Sequence, residues 1–200
     1  MTAFHDIPAA TVSLAQAGDT VALARVYEVY ERPVFALACR LVPQRAVAEE
    51  LAHDVFVDVL TRLRQYDGRG SFAGWVRSIT VSRCLMHLRS PWQRGRRWLD
   101  RLTDESGDGA QGIVNELAAP GSDRGDQIDL ERALAQLGDT ARAVVWLHDV
   151  EGYTHAEIGA LFDATPSFSK SQLARAHERL RGLLEPAGVE ASCMPLSNNC

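Results

Sequence analysis

Between Pro166 and Arg181, side chains suited to nucleic acid recur at helical spacing. Ser167, Lys170, Ser171 and Arg175 fall on one polar face, with Gln172 and Arg179 on its shoulders. Lys and Arg neutralise phosphates, while Ser, Gln and Arg hydrogen-bond base edges. Just upstream, Thr154-His155-Ala156-Glu157 has the form of a capping box, in which hydroxyl and carboxylate satisfy free backbone donors reciprocally. It opens a short helix with Ile158, Leu161 and Phe162, followed by a tight turn at Asp163-Ala164-Thr165. Pro166 starts a longer helix to about Leu184 with Phe168, Leu173, Ala176, Leu180 and Leu183 inward. The spacing predicts a helix-turn-helix. A helical hairpin with a merely solvated polar face is the competing reading.

A second group lies at Arg69-Gly-Ser71-Phe72-Ala-Gly-Trp75. Aromatics beside an arginine, after a Gly-rich turn, suit stacking on unpaired bases. By spacing alone, Phe72 and Trp75 suit core filling at a helix start even better. A third group, Glu49, Glu50, Asp54 and Asp58, lines one helix face, which either meets a basic partner or faces water. The six histidines are scattered, and Cys39, Cys84, Cys193 and Cys200 form no CxxC pair or zinc spacing. No phosphate loop, nucleophile elbow or triad order occurs. We therefore expect no enzyme, no metal and no cofactor. The terminal CMPLSNNC reads as a loose tail rather than a redox switch.

The elements that must position these groups are helical throughout. Asp19 can cap a helix carrying Val21, Leu23, Val26, Val29 and Tyr30. Pro33 suits the first turn of a second helix, Pro33–Val42, and Pro43 stops it. A third spans about Arg45–Tyr66, with Leu51, Val55, Val59 and Leu63 as its stripe. Ser71 can cap a fourth, about Phe72–Arg89, ended by Pro91. Residues 90–128 are rich in Gly and Pro and read as a linker, with a short helical piece at 96–102. Helices resume at Gln127–Leu137 and Thr140–Val150. The expected fold is all-α: two small helical domains joined by a flexible linker, the C-terminal one a helix-turn-helix. The boundaries are an N-terminal tail 1–18, a domain 19–90, a linker 91–128, a domain 129–185 and a C-terminal tail 186–200.

Charge is segregated along the 200 residues. The total is −5, yet residues 68–99 hold 7 Arg and no carboxylate, and residues 164–182 carry a net +3. Residues 100–130 between them carry −6. An acidic chain with two basic islands fits two separate contacts to a polyanion. No basic start followed by an apolar run opens the chain, and no apolar stretch reaches the roughly 20 residues of a membrane span. A cytoplasmic location without membrane insertion is expected.

Taken in order, four motifs resemble the extracytoplasmic-function (ECF) group of bacterial RNA polymerase sigma factors over about 19–90 and 129–184. ALARVYEVYERPVFALACRL is similar to the opening helix pair of that group, and AEELAHDVFVDVL to its acidic polymerase-binding helix. RGSFAGWVRSI resembles its SF-x-x-W promoter-melting segment. LGDTARAVVWLHDVEGYTHAEIGALF followed by SFSKSQLARAHERLR resembles the domain that reads the minus-thirty-five element. The resemblance implies that Glu49, Glu50, Asp54, Val55 and Asp58 contact the polymerase clamp coiled coil, and that the second domain meets the flap. It implies that Arg69, Ser71, Phe72, Trp75, Arg77, Ser82, Arg83 and Arg89 hold the minus-ten element and its flipped base. It implies that Ser167, Lys170, Ser171, Gln172, Arg175 and Arg179 serve the minus-thirty-five groove. Core RNA polymerase and promoter DNA are the implied partners. Members of the group are often restrained by an anti-sigma factor wedged between the domains, which makes such a protein a further expected partner.

Several positions depart from the pattern. Ser82 stands where Asn is usual in the group, Met86 where Asp is, and Leu60 where Trp is common. The recognition helix reads Ser-Phe-Ser-Lys-Ser-Gln rather than Gly-Thr-Val-Lys-Ser-Arg. Gln172 in place of Arg removes a cation and its bidentate reach to guanine, so promoter sequence preference shifts while the class does not. The alternative expectation is a polymerase-independent helix-turn-helix regulator with an N-terminal sensing domain. That protein would bind its operator tightly without polymerase.

Overall fold

A computed structural model of the chain describes residues 4–90 and 124–184, with side chains of the second stretch from residue 130 on. The expected linker over 91–123, its helical piece at 96–102 and the tail from 185 lie outside the described residues. Among the described residues every regular element is helical, and no helix is long and apolar enough to cross a membrane.

The first unit contains α1 (Ala9–Gln16), α2 (Thr20–Leu41), α3 (Arg45–Arg62), a 3-10 turn at Leu63–Gln65 and α4 (Phe72–Arg89). Asp19 and Ser71 cap as the sequence predicts: their side chains accept the Ala22 and Gly74 N–H groups. Two expectations are corrected. The segment 1–18 is not all tail, since α1 packs on α2 and buries Val12 and Ala15. The helix expected to break at Pro33 runs through it as one rod. An interior proline costs about 3 kcal/mol, because it removes one backbone donor and crowds the preceding turn. Val26, Tyr30, Val34, Leu37 and Leu41 form one fully buried stripe across the proline. Each contributes roughly 1.5–3 kcal/mol only if the rod stays continuous.

The second unit contains α5 (Arg124–Ala135), α6 (Asp139–Val145), a wide turn at Trp146–Val150, α7 (His155–Leu161) and α8 (Pro166–Leu184). The helix α5 begins inside the expected linker. In the wide turn the Glu151 N–H reaches the Trp146 carbonyl five residues back, at 3.1 Å, so the helix expected to reach Val150 loosens over its last turn. The capping box is present: Thr154 Oγ1 accepts the Glu157 N–H at 3.2 Å, and Glu157 Oε2 accepts the Thr154 N–H at 2.8 Å. Thr154→Ala is expected to lower unfolding stability by about 1 kcal/mol, measurable as a shifted urea midpoint.

One apolar cluster crosses from the first unit to the second. It joins Leu41, Val42, Val81, Leu85 and Leu88 to Val144, Leu147, Ile158 and Leu173. The sequence reading treats the units as separate. The first unit also has a core of its own, in which Val26, Tyr30, Val34, Val55, Val59, Phe72 and Val76 pack together, whereas the short helices of the second unit bury their apolar sides largely in the shared cluster.

Candidate nucleic-acid interface

In the second unit, α8 is held by its apolar side against α7 and α6, with Leu173, Ala176 and Leu180 buried. Its opposite face leaves Ser167, Lys170, Ser171, Arg175 and Arg179 exposed, and Gln172 half-buried. Arg175 Nε donates to the Ser171 carbonyl of its own helix at 3.1 Å, so its head is held along the face. The turn before α8 is tight. Asp163 adopts φ 51°, the left-handed region, and the Ala164 N–H donates to the Gly159 carbonyl at 2.8 Å. Ser169 is fully buried, and its hydroxyl bonds His155 Nδ1 at 3.0 Å, linking the two helices of the motif. Desolvation, then the neighbouring His148 and Lys170 charges, hold the His155 pKa below its ordinary value, which favours the neutral ring for this bond.

In the first unit, the Gly-rich turn delivers α4. Gly68 and Gly70 sit at φ 78° and 81°, where L side chains are strained. Tyr66, Phe72 and Trp75 form one aromatic cluster with ring centroids 5.1 to 5.5 Å apart. Phe72 is only 3% exposed and also meets Tyr30 edge-on. It therefore fills the core, as its spacing alone suggested, and does not present a ring to a base. Trp75 is half-buried at the rim of the cluster, and Arg69, Ser71 and Ser82 are exposed.

The other arginines of α4 are engaged. Arg83 pairs with Asp58 at 2.6 Å. Arg77 pairs with Glu151 of the second unit at 3.2 Å and lies 5.7 Å from the Tyr153 ring centre. Arg89 donates to the Leu161 carbonyl at 2.9 Å and pairs with Asp163. Two cations expected at DNA are thus held by the domain expected to bind elsewhere. An open groove of about 1490 Å³ lies between the units, lined by Trp75, Arg83, Met86, Phe168 and Gln172 among others.

On α3, Glu49, Glu50 and Asp54 are exposed. Val55 is fully buried, so it supports the acidic face from beneath rather than touching a partner. Asp58 is turned to Arg83 and Arg62 and is 16% exposed. Val57 and Leu60, 59% and 50% exposed, put apolar area beside the carboxylates; sequence reasoning noted Leu60 only as a departure from Trp and missed Val57, whose three-residue spacing from both Asp54 and Leu60 would have shown it. It also missed Arg142, whose guanidinium donates to the Cys39 and Arg40 carbonyls at 3.0 and 3.1 Å. These carbonyls lie at the C-terminal end of α2, where a cation meets free acceptors and the negative end of the helix dipole. Nothing local in the sequence signals that contact.

Two family models match the chain, one described as Sigma-70 region 2 over residues 26–94 and one as Sigma-70, region 4 over residues 127–180. The ECF RNA polymerase sigma factor SigE of Mycolicibacterium smegmatis is 30% identical over 193 residues, covering 94% of this chain and 72% of that one. The RNA polymerase sigma-H factor of Pseudomonas aeruginosa is 24% identical over 188 residues, covering 90% and 95%. Among solved structures, the sigma factor RpoE from Bartonella quintana, in complex with the anti-sigma factor NepR, shares the fold at a TM-score of 0.50 and 20% identity, covering 82% of this chain and 98% of that one. A helical unit with a Gly-rich turn, a second unit ending in a helix with an exposed cationic face, and relatives matched along most of their length lead to one conclusion: the chain belongs to the ECF group of RNA polymerase sigma factors, the subunits that bind core polymerase and direct promoter-specific initiation.

Proposed function

We propose how the surfaces of this sigma factor divide the work. The exposed acidic face of α3, with Glu49, Glu50 and Asp54 beside Val57 and Leu60, docks on the basic clamp coiled coil of core polymerase. Asp58 and Val55 hold that face in place from α4 and the core. The turn and outer face of α4 take the minus-ten element through Arg69, Ser71, Trp75, Arg77, Ser82, Arg83 and Arg89, with Phe72 supporting them from inside. The outer face of α8 enters the minus-thirty-five major groove through Ser167, Lys170, Ser171, Gln172, Arg175 and Arg179. The functional units lie at 19–90, with α1 packed on the first, and at 129–185, with α5 starting ahead of the second inside the joining segment 91–128. The chain supplies specificity without chemistry of its own and works in the cytoplasm. An anti-sigma factor would fit between the units.

The observation that carries this reading is the placement of cations. Arg77 and Arg89 of α4 are tied to Glu151, Leu161 and Asp163 of the second unit, whereas Lys170 and Arg175 on α8 are exposed. A chain at −5 with half of one DNA surface occupied binds duplex weakly alone, because phosphate neutralisation dominates affinity. Polymerase parts the units and spaces them on one promoter, and joining two weak contacts raises the effective concentration of the second.

The test is run-off transcription with the host core polymerase, from a promoter chosen by mapping start sites after overexpression. Wild-type protein is expected to support specific initiation, and free protein to shift the same duplex poorly. Tight binding without polymerase would favour the stand-alone regulator. Asp54→Arg is expected to weaken core binding about ten-fold by reversing an exposed charge at the dock, with the thermal midpoint unchanged. Core affinity is read by fluorescence anisotropy, and an unchanged value removes α3 from the dock.

A further inference from the structure

We propose that Asp6 is a positioning residue for promoter melting, holding the turn that presents the minus-ten surface. This rests on the reading of Arg69–Trp75 as that surface. Asp6 Oδ1 accepts the Ser71 hydroxyl at 2.9 Å and the Ala73 N–H at 2.9 Å. Ser71 Oγ itself accepts the Gly74 N–H at 3.0 Å. A carboxylate from 65 residues earlier thus completes the cap at the start of α4. The Ala73 N–H first, and the Ser71 hydroxyl next, hold the Asp6 carboxyl below its ordinary pKa, so it is ionised at neutral pH.

The segment bearing Asp6 is itself anchored. Tyr30 is fully buried and donates its hydroxyl to the His5 carbonyl at 2.9 Å, and Phe4 stacks on its ring. The other end of the turn is held from the same direction: Gln16 Nε2 donates to the Leu63 and Tyr66 carbonyls at 2.9 and 2.8 Å. The turn between these clamps carries two glycines at positive φ, a composition with much conformational freedom to lose. Restricting it before DNA arrives removes an ordering cost from the step that captures unpaired bases. Asp6 and Gln16 both lie before residue 26, where the region 2 match begins.

The experiment uses the full chain with host core polymerase on the mapped promoter. It reads permanganate reactivity of unpaired thymines for opening, anisotropy for core affinity, and thermal midpoint. Asp6→Ala is expected to lower opening about five-fold, the scale of one lost net hydrogen bond, with core affinity near wild type and the midpoint lowered by no more than the roughly 2–4 °C that a lost cap costs. Asp6→Asn keeps an acceptor oxygen and is expected to restore most of the opening. Wild-type opening by Asp6→Ala overturns the proposal. So does loss of opening in step with midpoint and core affinity, which would make Asp6 merely structural. Arg69→Ala separates the two levels. If it lowers opening and Asp6→Ala does not, only the positioning role fails; if neither does, the melting assignment falls with it.

Discussion

Gly159→Ala is expected to disable minus-thirty-five recognition while leaving core docking intact. A Cβ at Gly159 would sit 2.9 Å from the Thr165 carbonyl carbon, 3.0 Å from the Ala164 carbonyl oxygen and 3.0 Å from the Pro166 nitrogen. All three are backbone atoms of the turn that enters α8, and Pro166 restricts how that turn can shift. Gly159 is buried, and its carbonyl accepts the Ala164 N–H that closes the turn. Relief therefore requires α8 to move against α7, at a cost of roughly 1–3 kcal/mol for overpacking. The fall in urea midpoint should be accompanied by loss of promoter complexes at normal core affinity. Gly182→Ala provides the opposite sign. It lies in α8 with open space where an alanine methyl would stand, and the substitution should raise stability by up to about 1 kcal/mol through helix propensity. Equal midpoints for the two variants would show that the turn is not crowded.

The double substitution Lys170→Ala and Arg175→Ala is expected to lower promoter binding by holoenzyme about 100-fold. Both residues are exposed on α8 and neither belongs to the core. Each lost phosphate contact should flatten the log affinity against log salt slope by about 0.9, and each lost base contact costs about 1–3 kcal/mol of discrimination. Measuring affinity across salt for specific and scrambled duplexes separates these roles. A cation bound to phosphate weakens both duplexes alike and changes the slope; a base-reading residue weakens the specific duplex alone. Unfolding stability should stay within about 0.5 kcal/mol of wild type, as for exposed helix positions in general. Unchanged affinity on both duplexes would remove α8 from the DNA surface.

The engaged arginines add a constraint on the order of events. Glu151 accepts from Arg77 at 3.2 Å and from Trp146 Nε1 at 3.2 Å, and Arg40 stacks 4.8 Å over the Trp146 ring. With Arg142 on the end of α2, these contacts form a polar rim around the shared apolar cluster. Polar rims of this kind are paired with water when the surfaces part, so separation costs mainly the apolar burial. On the proposed reading, polymerase binding has to offset the burial of the shared apolar cluster before Arg77 and Arg89 are freed for DNA.

What the sequence determined by itself was local. Asp19, Ser71 and the Thr154–Glu157 box were legible because a cap involves residues three or four apart. The bounds of α4 and α8 were legible because Ser71, Pro166 and the flanking breakers act within one turn. The exposed polar face of α8 followed from helical periodicity, and the order of four motifs indicated the family. Pro33 was misread for the same reason: local rules favour a helix start there, and only the buried stripe from Val26 to Leu41 overrides them. Tertiary structure alone decided which way the residues of each motif point. It buried Phe72 and Val55, turned Asp58 inward to Arg83, and bracketed the Gly-rich turn with Asp6 and Gln16. It also brought Arg77 and Arg89 to partners more than 70 residues away. Helical periodicity is written in neighbouring residues, whereas the partner of a charge across a shared core is fixed only when segments far apart in the chain close on one another.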